Sequence, residues 1–129
     1  MSQANKMSQQ AVKTILIVED DTDIGKFLVQ ALAAETAYHI LLAANGVQAI
    51  KDVNTLMPDL LILDYQLPQM NGLEVYDHLH AQETFQHIPA LFMSANAPLN
   101  EIEKRHAHLL KKPFELDELL QMVQVILDE

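Results

Sequence analysis

The sequence contains no cysteine, which excludes disulfide cross-links, thiolate zinc sites and cysteine nucleophiles. It also lacks any apolar run near the roughly 18 residues needed to cross a membrane. Met1 to Lys13 are polar and have no apolar centre of the kind found in a secretion signal. Basic residues are few: eight Lys and Arg stand against 18 Asp and Glu, for a net charge of −10. That balance argues against a surface that grips nucleic acid by itself. These absences leave a cytoplasmic protein as the expectation, with no membrane insertion and no direct nucleic-acid partner. The bases are unevenly placed, because Lys104, Arg105, Lys111 and Lys112 fall close together. Such a cluster is a solvated face or a local patch for a partner.

What the sequence does hold is enough apolar residue, half of 129, for one domain with a real core. Residues 1–13, rich in Gln, Ser and Asn, read as a flexible lead-in, and 14–129 as the folded domain. Its organising stretch is Leu60-Leu61-Ile62-Leu63-Asp64-Tyr65-Gln66-Leu67-Pro68-Gln69-Met70-Asn71-Gly72. Four aliphatic residues in a row fit a strand buried on both faces, as in parallel sheets. A charged Asp64 directly behind them is costly unless it emerges at the open end of the sheet. That end is where ligands bind in open α/β folds.

Thr14–Val18 reads as another buried strand, closed by Glu19-Asp20-Asp21, with Thr22 or Asp23 as N-cap of the next helix. Ile24, Phe27, Leu28, Ala31 and Leu32 recur at helical spacing and are expected to face the core. Tyr38–Ala43 is a more mixed strand, suited to a sheet edge, and Asn45-Gly46 turns into a helix carrying Val47, Ile50 and Val53. After Gly72 a helix carries Leu73, Tyr76 and Leu79, and Ile88–Met93 is a fourth strand behind Pro89. Ser94-Ala95-Asn96 follows, and Pro98 at N1 opens a short helix to about Ala107. His108-Leu109-Leu110 is a fifth strand, Lys111-Lys112-Pro113-Phe114 a loop, and Leu116, Leu119, Leu120, Val123 and Leu127 mark a last helix. Five alternations of strand and helix predict a doubly wound α/β fold, a parallel sheet with helices on both faces.

That alternation brings Asp20, Asp21, Asp64, Ser94 and Lys112 to one carboxyl edge. Carboxylates gathered there repel one another unless a cation lies among them or their pKa values rise. Oxygen donors without Cys or a well-placed His suit a hard ion, and few carboxylates plus waters suit Mg²⁺. A carboxylate nucleophile, Mg²⁺, a lysine and a hydroxyl together make a phosphoryl-accepting site.

Four pieces, Ile15–Asp21, Asp64–Gly72, Ser94-Ala95 and Lys112-Pro113-Phe114, resemble the receiver domain of two-component response regulators over Thr14–Glu129. The resemblance implies a CheY-like, flavodoxin-like sheet of order 2-1-3-4-5 with five helices. It implies that Asp64 accepts a phosphoryl group from a histidine kinase or histidine phosphotransfer protein. Asp20, Asp21, Asp64 and the carbonyl of Gln66 would hold Mg²⁺, and Ser94, Ala95 and Lys112 would bind the phosphoryl group. Gln66 and Asn96 resemble tuners of dephosphorylation rate. In the family the switch pairs Ser94 with an aromatic in the fifth strand, where this chain has Leu109. Ser94 and Lys112 are also about one helical turn closer than usual, so the fourth helix is expected to be short.

Blander roles stand beside these. Asp20-Asp21 suits a helix N-terminus, Ser94 a strand-end turn, and the histidines a surface or core rather than a metal. The leading expectation is a phosphorylation switch, not an enzyme, acting on a downstream protein partner, with part of the last leucine stripe available as a homodimer face. Glu129 follows Lys112 by one helix, so a stand-alone receiver is expected. A phosphohydrolase would want an acid two positions after Asp64, where Gln66 stands. A degenerate receiver that binds partners without phosphorylation is the alternative. Relief of carboxylate repulsion leads one to expect higher metal-free stability for Asp21→Ala or Asp64→Ala.

Overall fold

The computed structural model describes residues 12–128, so most of the expected lead-in lies outside the described residues. The strands are β1 (Thr14–Val18), β2 (His39–Ala43), β3 (Leu60–Asp64), β4 (Ala90–Ser94) and β5 (His108–Lys111). The helices are α1 (Thr22–Glu35), α2 (Gly46–Leu56), α3 (Gly72–His80), α4 (Leu99–Lys104) and α5 (Leu116–Leu127), with a 3₁₀ turn at Glu83–Phe85. All neighbouring strands are parallel, in the order 2-1-3-4-5. No helix of the described residues is long and apolar enough to cross a membrane.

Alternation along each strand sends successive side chains to opposite faces. Leu16, Val18, Leu61, Leu63 and Phe92 meet Val53, Leu73, Val75 and Leu79 from α2 and α3. Ile15, Ile17, Leu60, Ile62, Leu91 and Met93 meet Leu28, Leu32, Leu119 and Val123 from α1 and α5. Burying one such aliphatic side chain contributes about 1.5–3 kcal/mol. β3, at the centre, is buried at every position, while β2 lies at an edge as its mixed composition implies.

Local chemistry sets the helix ends. Asn45 caps α2 by accepting from the Gln48 N–H, and Asn71 caps α3 with Glu74 in a reciprocal capping box. Gly72 is required at its position, because a Cβ there would lie 2.7 Å from the Asp64 carbonyl oxygen and 3.1 Å from Tyr65 Cα. α3 therefore starts tight against the loop that presents Asp64. Lys13 ties the entry to β1 to the end of α5, donating from Nζ to the Leu127 carbonyl, while its own carbonyl accepts from the His39 N–H.

Three local expectations need correction. The N-cap of α1 is Asp21, not Thr22 or Asp23, since its side chain accepts from the Ile24 N–H at 3.0 Å. Leu28 and Leu32 are buried as expected, but Ile24 and Phe27 are 46% and 60% exposed, because α1 turns Gly25 inward beside the two leucines. Gly25 lets α1 approach β2 closely, as a Cβ there would meet Leu42 at 2.9 Å. Finally, α4 runs only from Leu99 to Lys104, with Pro98 at the N-cap rather than N1. Its end is fixed by His106, whose left-handed φ of 55° stops the helix before Ala107.

Candidate functional site at the carboxyl edge of the sheet

Register brings the site together. Val18 pairs with Leu63, so the next residues on the two strands, Glu19 and Asp64, emerge side by side. Asp64 pairs with Met93, which places Ser94 one step beyond it on the other flank. Lys112 follows β5, and its backbone N–H donates to the Ser94 carbonyl at 2.9 Å. The Lys112–Pro113 peptide bond is cis.

Carboxylate oxygens of Glu19, Asp20 and Asp64 lie within 4.8 Å of one another. Glu19 and Asp64 are buried and Asp20 is exposed, so the trio opens to solvent on one side only. One oxygen of Glu19, Oε2, accepts from the Asp21 N–H at 3.1 Å, while the buried Oε1 has no partner. Burial, reinforced by the nearby charge of Asp64, pushes the Glu19 carboxyl up to about 7. Lys112 Nζ approaches Asp64 Oδ1 at 3.4 Å and supplies the positive charge beside it. The Gln66 N–H also reaches Asp64 Oδ1, at 3.3 Å.

Ser94 is 3% exposed, its Oγ accepting from the Asn96 N–H at 3.0 Å and facing Asn96 Oδ1 at 3.3 Å. The same Asn96 oxygen accepts from Gln66 Nε2 at 3.3 Å, so Gln66 and Asn96 meet across the edge. Ala95 is exposed beside them. Leu109 is opposite Phe92 in register and half-buried against the core cluster that also holds Phe92 and Ile102.

Sequence reasoning thus gathered Asp20, Asp64, Gln66, Ser94, Ala95 and Lys112 correctly at one edge, but it shifted the acidic pair by one residue. Asp21, expected as a metal ligand, lies outside the carboxylate cluster because its side chain is committed to capping α1. The residue missed is Glu19. A signal for it was available, since Glu19 and Asp64 are each the first residue after a run of four buried aliphatics.

The family profile of the response regulator receiver domain matches residues 15–124. The chain is 30% identical over 113 residues to hybrid signal transduction histidine kinase D of Dictyostelium discoideum, covering 84% of this chain and 7% of that one. It is 32% identical over 117 residues to response regulator MprA of Mycobacterium ulcerans, covering 88% of this chain and 49% of that protein. The chain therefore spans half or less of the length of these relatives. Among solved structures, the receiver domain of a Pseudomonas aeruginosa sensor histidine kinase superposes with a TM-score of 0.78 at 27% identity. That match covers 92% of this chain and all of the other, whose active-site cleft coordinates a magnesium ion.

Proposed function

Because the chain belongs to the response regulator receiver domain family of two-component signalling, we propose that Asp64 is its phosphoacceptor and that Glu19, Asp20 and Asp64 hold Mg²⁺ beside it. The observation that carries this reading is the buried, unpartnered Oε1 of Glu19 within a carboxylate trio that has one lysine near it. Such a donor set, all oxygen and open on one side, fits a hard divalent cation that keeps several waters. The magnesium in the Pseudomonas aeruginosa receiver supports the same choice of ion. When bound, the ion supplies positive charge against the phosphoryl oxygens.

The remaining work falls to the chain's own residues. A carboxylate oxygen of Asp64 attacks the phosphorus of a phosphohistidine on a histidine kinase or phosphotransfer protein. The new O–P bond replaces the P–N bond, whose electron pair leaves with the imidazole. Lys112 holds a phosphoryl oxygen, and the Ser94 hydroxyl and Ala95 N–H take others. The Gln66 carbonyl would complete the protein ligands of the ion, and the Gln66 and Asn96 side chains meet beside it. Gln66 stands two positions after Asp64, where an aspartyl-phosphate hydrolase would carry an acid. The protein is thus a signalling phosphoacceptor whose phosphorylated form changes its binding to a downstream protein.

Intact-mass analysis after incubation with acetyl phosphate tests this. A gain of one phosphoryl group that requires Mg²⁺ and is lost in Asp64→Asn is the expected result. The six-residue α4 and the aliphatic Leu109 favour one alternative, a receiver that binds partners without phosphorylation. No adduct, together with no binding of beryllofluoride in Mg²⁺, would decide for that alternative.

A further inference from the structure

Outside the acidic edge, charged and aromatic side chains converge at the seam between α3 and the end of α4. Arg105 caps the C-terminus of α4, and its guanidinium is forked on Asp77 of α3. Nε reaches Oδ1 and Nη2 reaches Oδ2, both at 2.7 Å. Its Nη1 donates to the carbonyl of Glu101 at 2.8 Å and to Glu101 Oε1 at 3.0 Å. The backbone of Arg105 is held as well, because Tyr76 on α3 donates its hydroxyl to the Arg105 carbonyl at 2.9 Å.

Tyr76 is itself tightly placed. Its ring stacks on His80 with centroids 3.8 Å apart and tilts against Phe92 at 5.9 Å. The His80 ring nitrogens lie 2.9 and 2.7 Å from the carbonyl oxygens of Tyr76 and Ile88. Phe92 is on β4 two residues before Ser94, and Leu109 faces Phe92 across the strand pair. A continuous set of contacts therefore runs from the strand carrying Ser94, through Tyr76, to Arg105 and Asp77.

A partly exposed ion pair of this kind adds modestly to stability, but a forked pair fixes direction as well as distance. With six residues, α4 has little helical stability of its own. Its end cannot shift without moving α3 or breaking the fork. Leu109 offers no comparable linkage, since rotating its side chain makes and breaks no hydrogen bond. We infer that movement of the β4–α4 loop is passed to α3 through Tyr76, Arg105 and Asp77, so that the α3–α4 seam is the part of the domain that reports the state of Asp64. This rests on Asp64 being the phosphoacceptor.

The test uses the full chain, ¹⁵N-labelled, with Mg²⁺ and beryllofluoride as the phosphoryl mimic. In the wild type, shifts are expected at 94–96 and also at the Asp77 amide, the amides of 99–106 and the Arg105 side-chain Nε. Tyr76→Phe keeps the ring and removes only the hydroxyl. It should leave the shifts at 94–96 intact while those at the seam fall by roughly half or more, the scale on which such network mutations act. Arg105→Gln, at a position 20% exposed, should do the same to the Asp77 and 99–104 amides. Seam shifts unchanged in both variants would overturn the inference, as would wild-type shifts confined to β5 and α5. Absence of any wild-type shift at 94–96 would instead overturn the phosphoacceptor reading, and the inference with it.

Discussion

The carboxyl edge and the α3–α4 seam are both built of charged side chains, and they are opposites in how charge is matched. At the edge three carboxylates crowd together with one lysine at 3.4 Å, and a buried oxygen of Glu19 is left without a partner. At the seam each carboxylate faces the guanidinium of Arg105. The hydrogen bond from Arg105 holds Asp77 below the usual carboxylate range and does the same for Glu101. The edge moves the other way, with burial raising Glu19 to about 7. A matched network is complete in the folded chain alone, whereas an unmatched one is complete only with something from outside.

The two regions must then respond to pH with opposite signs, and the edge gives the larger effect. Glu19 has its pKa raised by folding, from 4.5 to about 7. Its stabilising contribution is therefore full below pH 4.5 and lost as pH rises through 7. A shift of this size corresponds to on the order of 3 kcal/mol. In chelator, Glu19→Gln should match the wild type near pH 4.5 and exceed it by about that amount at pH 8, read by urea unfolding. Millimolar Mg²⁺ at pH 8 should stabilise the wild type and not the variant. A stability difference that does not change with pH would erase the contrast between edge and seam.

The next effect separates the edge from its immediate neighbour. Asp21 was expected from the sequence to share the repulsion, so that its removal would stabilise the metal-free protein. The structure reverses that sign, because Asp21 caps α1 through the Ile24 N–H. Asp21→Ala should lower stability by about 1 kcal/mol and leave Mg²⁺-dependent phosphorylation by acetyl phosphate in place. Asp64→Ala, which removes a like charge beside Glu19, should raise metal-free stability and abolish phosphorylation. If Asp21→Ala were stabilising and inactive, the acidic pair would have to be redrawn as Asp20 and Asp21.

That one-residue error marks where the sequence stops being legible. Buried runs such as Leu60–Leu63 and Ile15–Val18 show the strands, their parallel packing and the edge where Asp64 and Lys112 emerge, because burial on both faces leaves no alternative. Which of Glu19, Asp20 and Asp21 points into the site depends on strand register and on where the first helix begins. Register is a relation between strands, visible only once Val18 is set beside Leu63. Phe27 and Ile24 misled for a related reason: helical spacing marks a stripe, but the closeness of Gly25 to Leu42 decides which edge of it turns inward. The seam was least legible of all. Asp77 and Arg105 are 28 positions apart, and nothing local in either segment announces the other.

The smallest effect is the one that keeps the two regions distinct. Asp77 is lowered by Arg105, so its contribution is present above pH 3.8 and lost as pH falls through the folded value. Its side chain is 53% exposed, and solvent screens the pair, so the energy at stake is below about 1 kcal/mol. Asp77→Asn should therefore shift the urea midpoint slightly at low salt and hardly at all near 1 M NaCl, where the Debye length is about 3 Å. The same substitution should loosen the Arg105 side chain, seen as faster exchange of its Nε proton, because the fork is lost even where the energy is small. A loss of more than about 2 kcal/mol would make the seam an energetic support of the fold. Its geometry, rather than its energy, would then no longer be what distinguishes it from the edge.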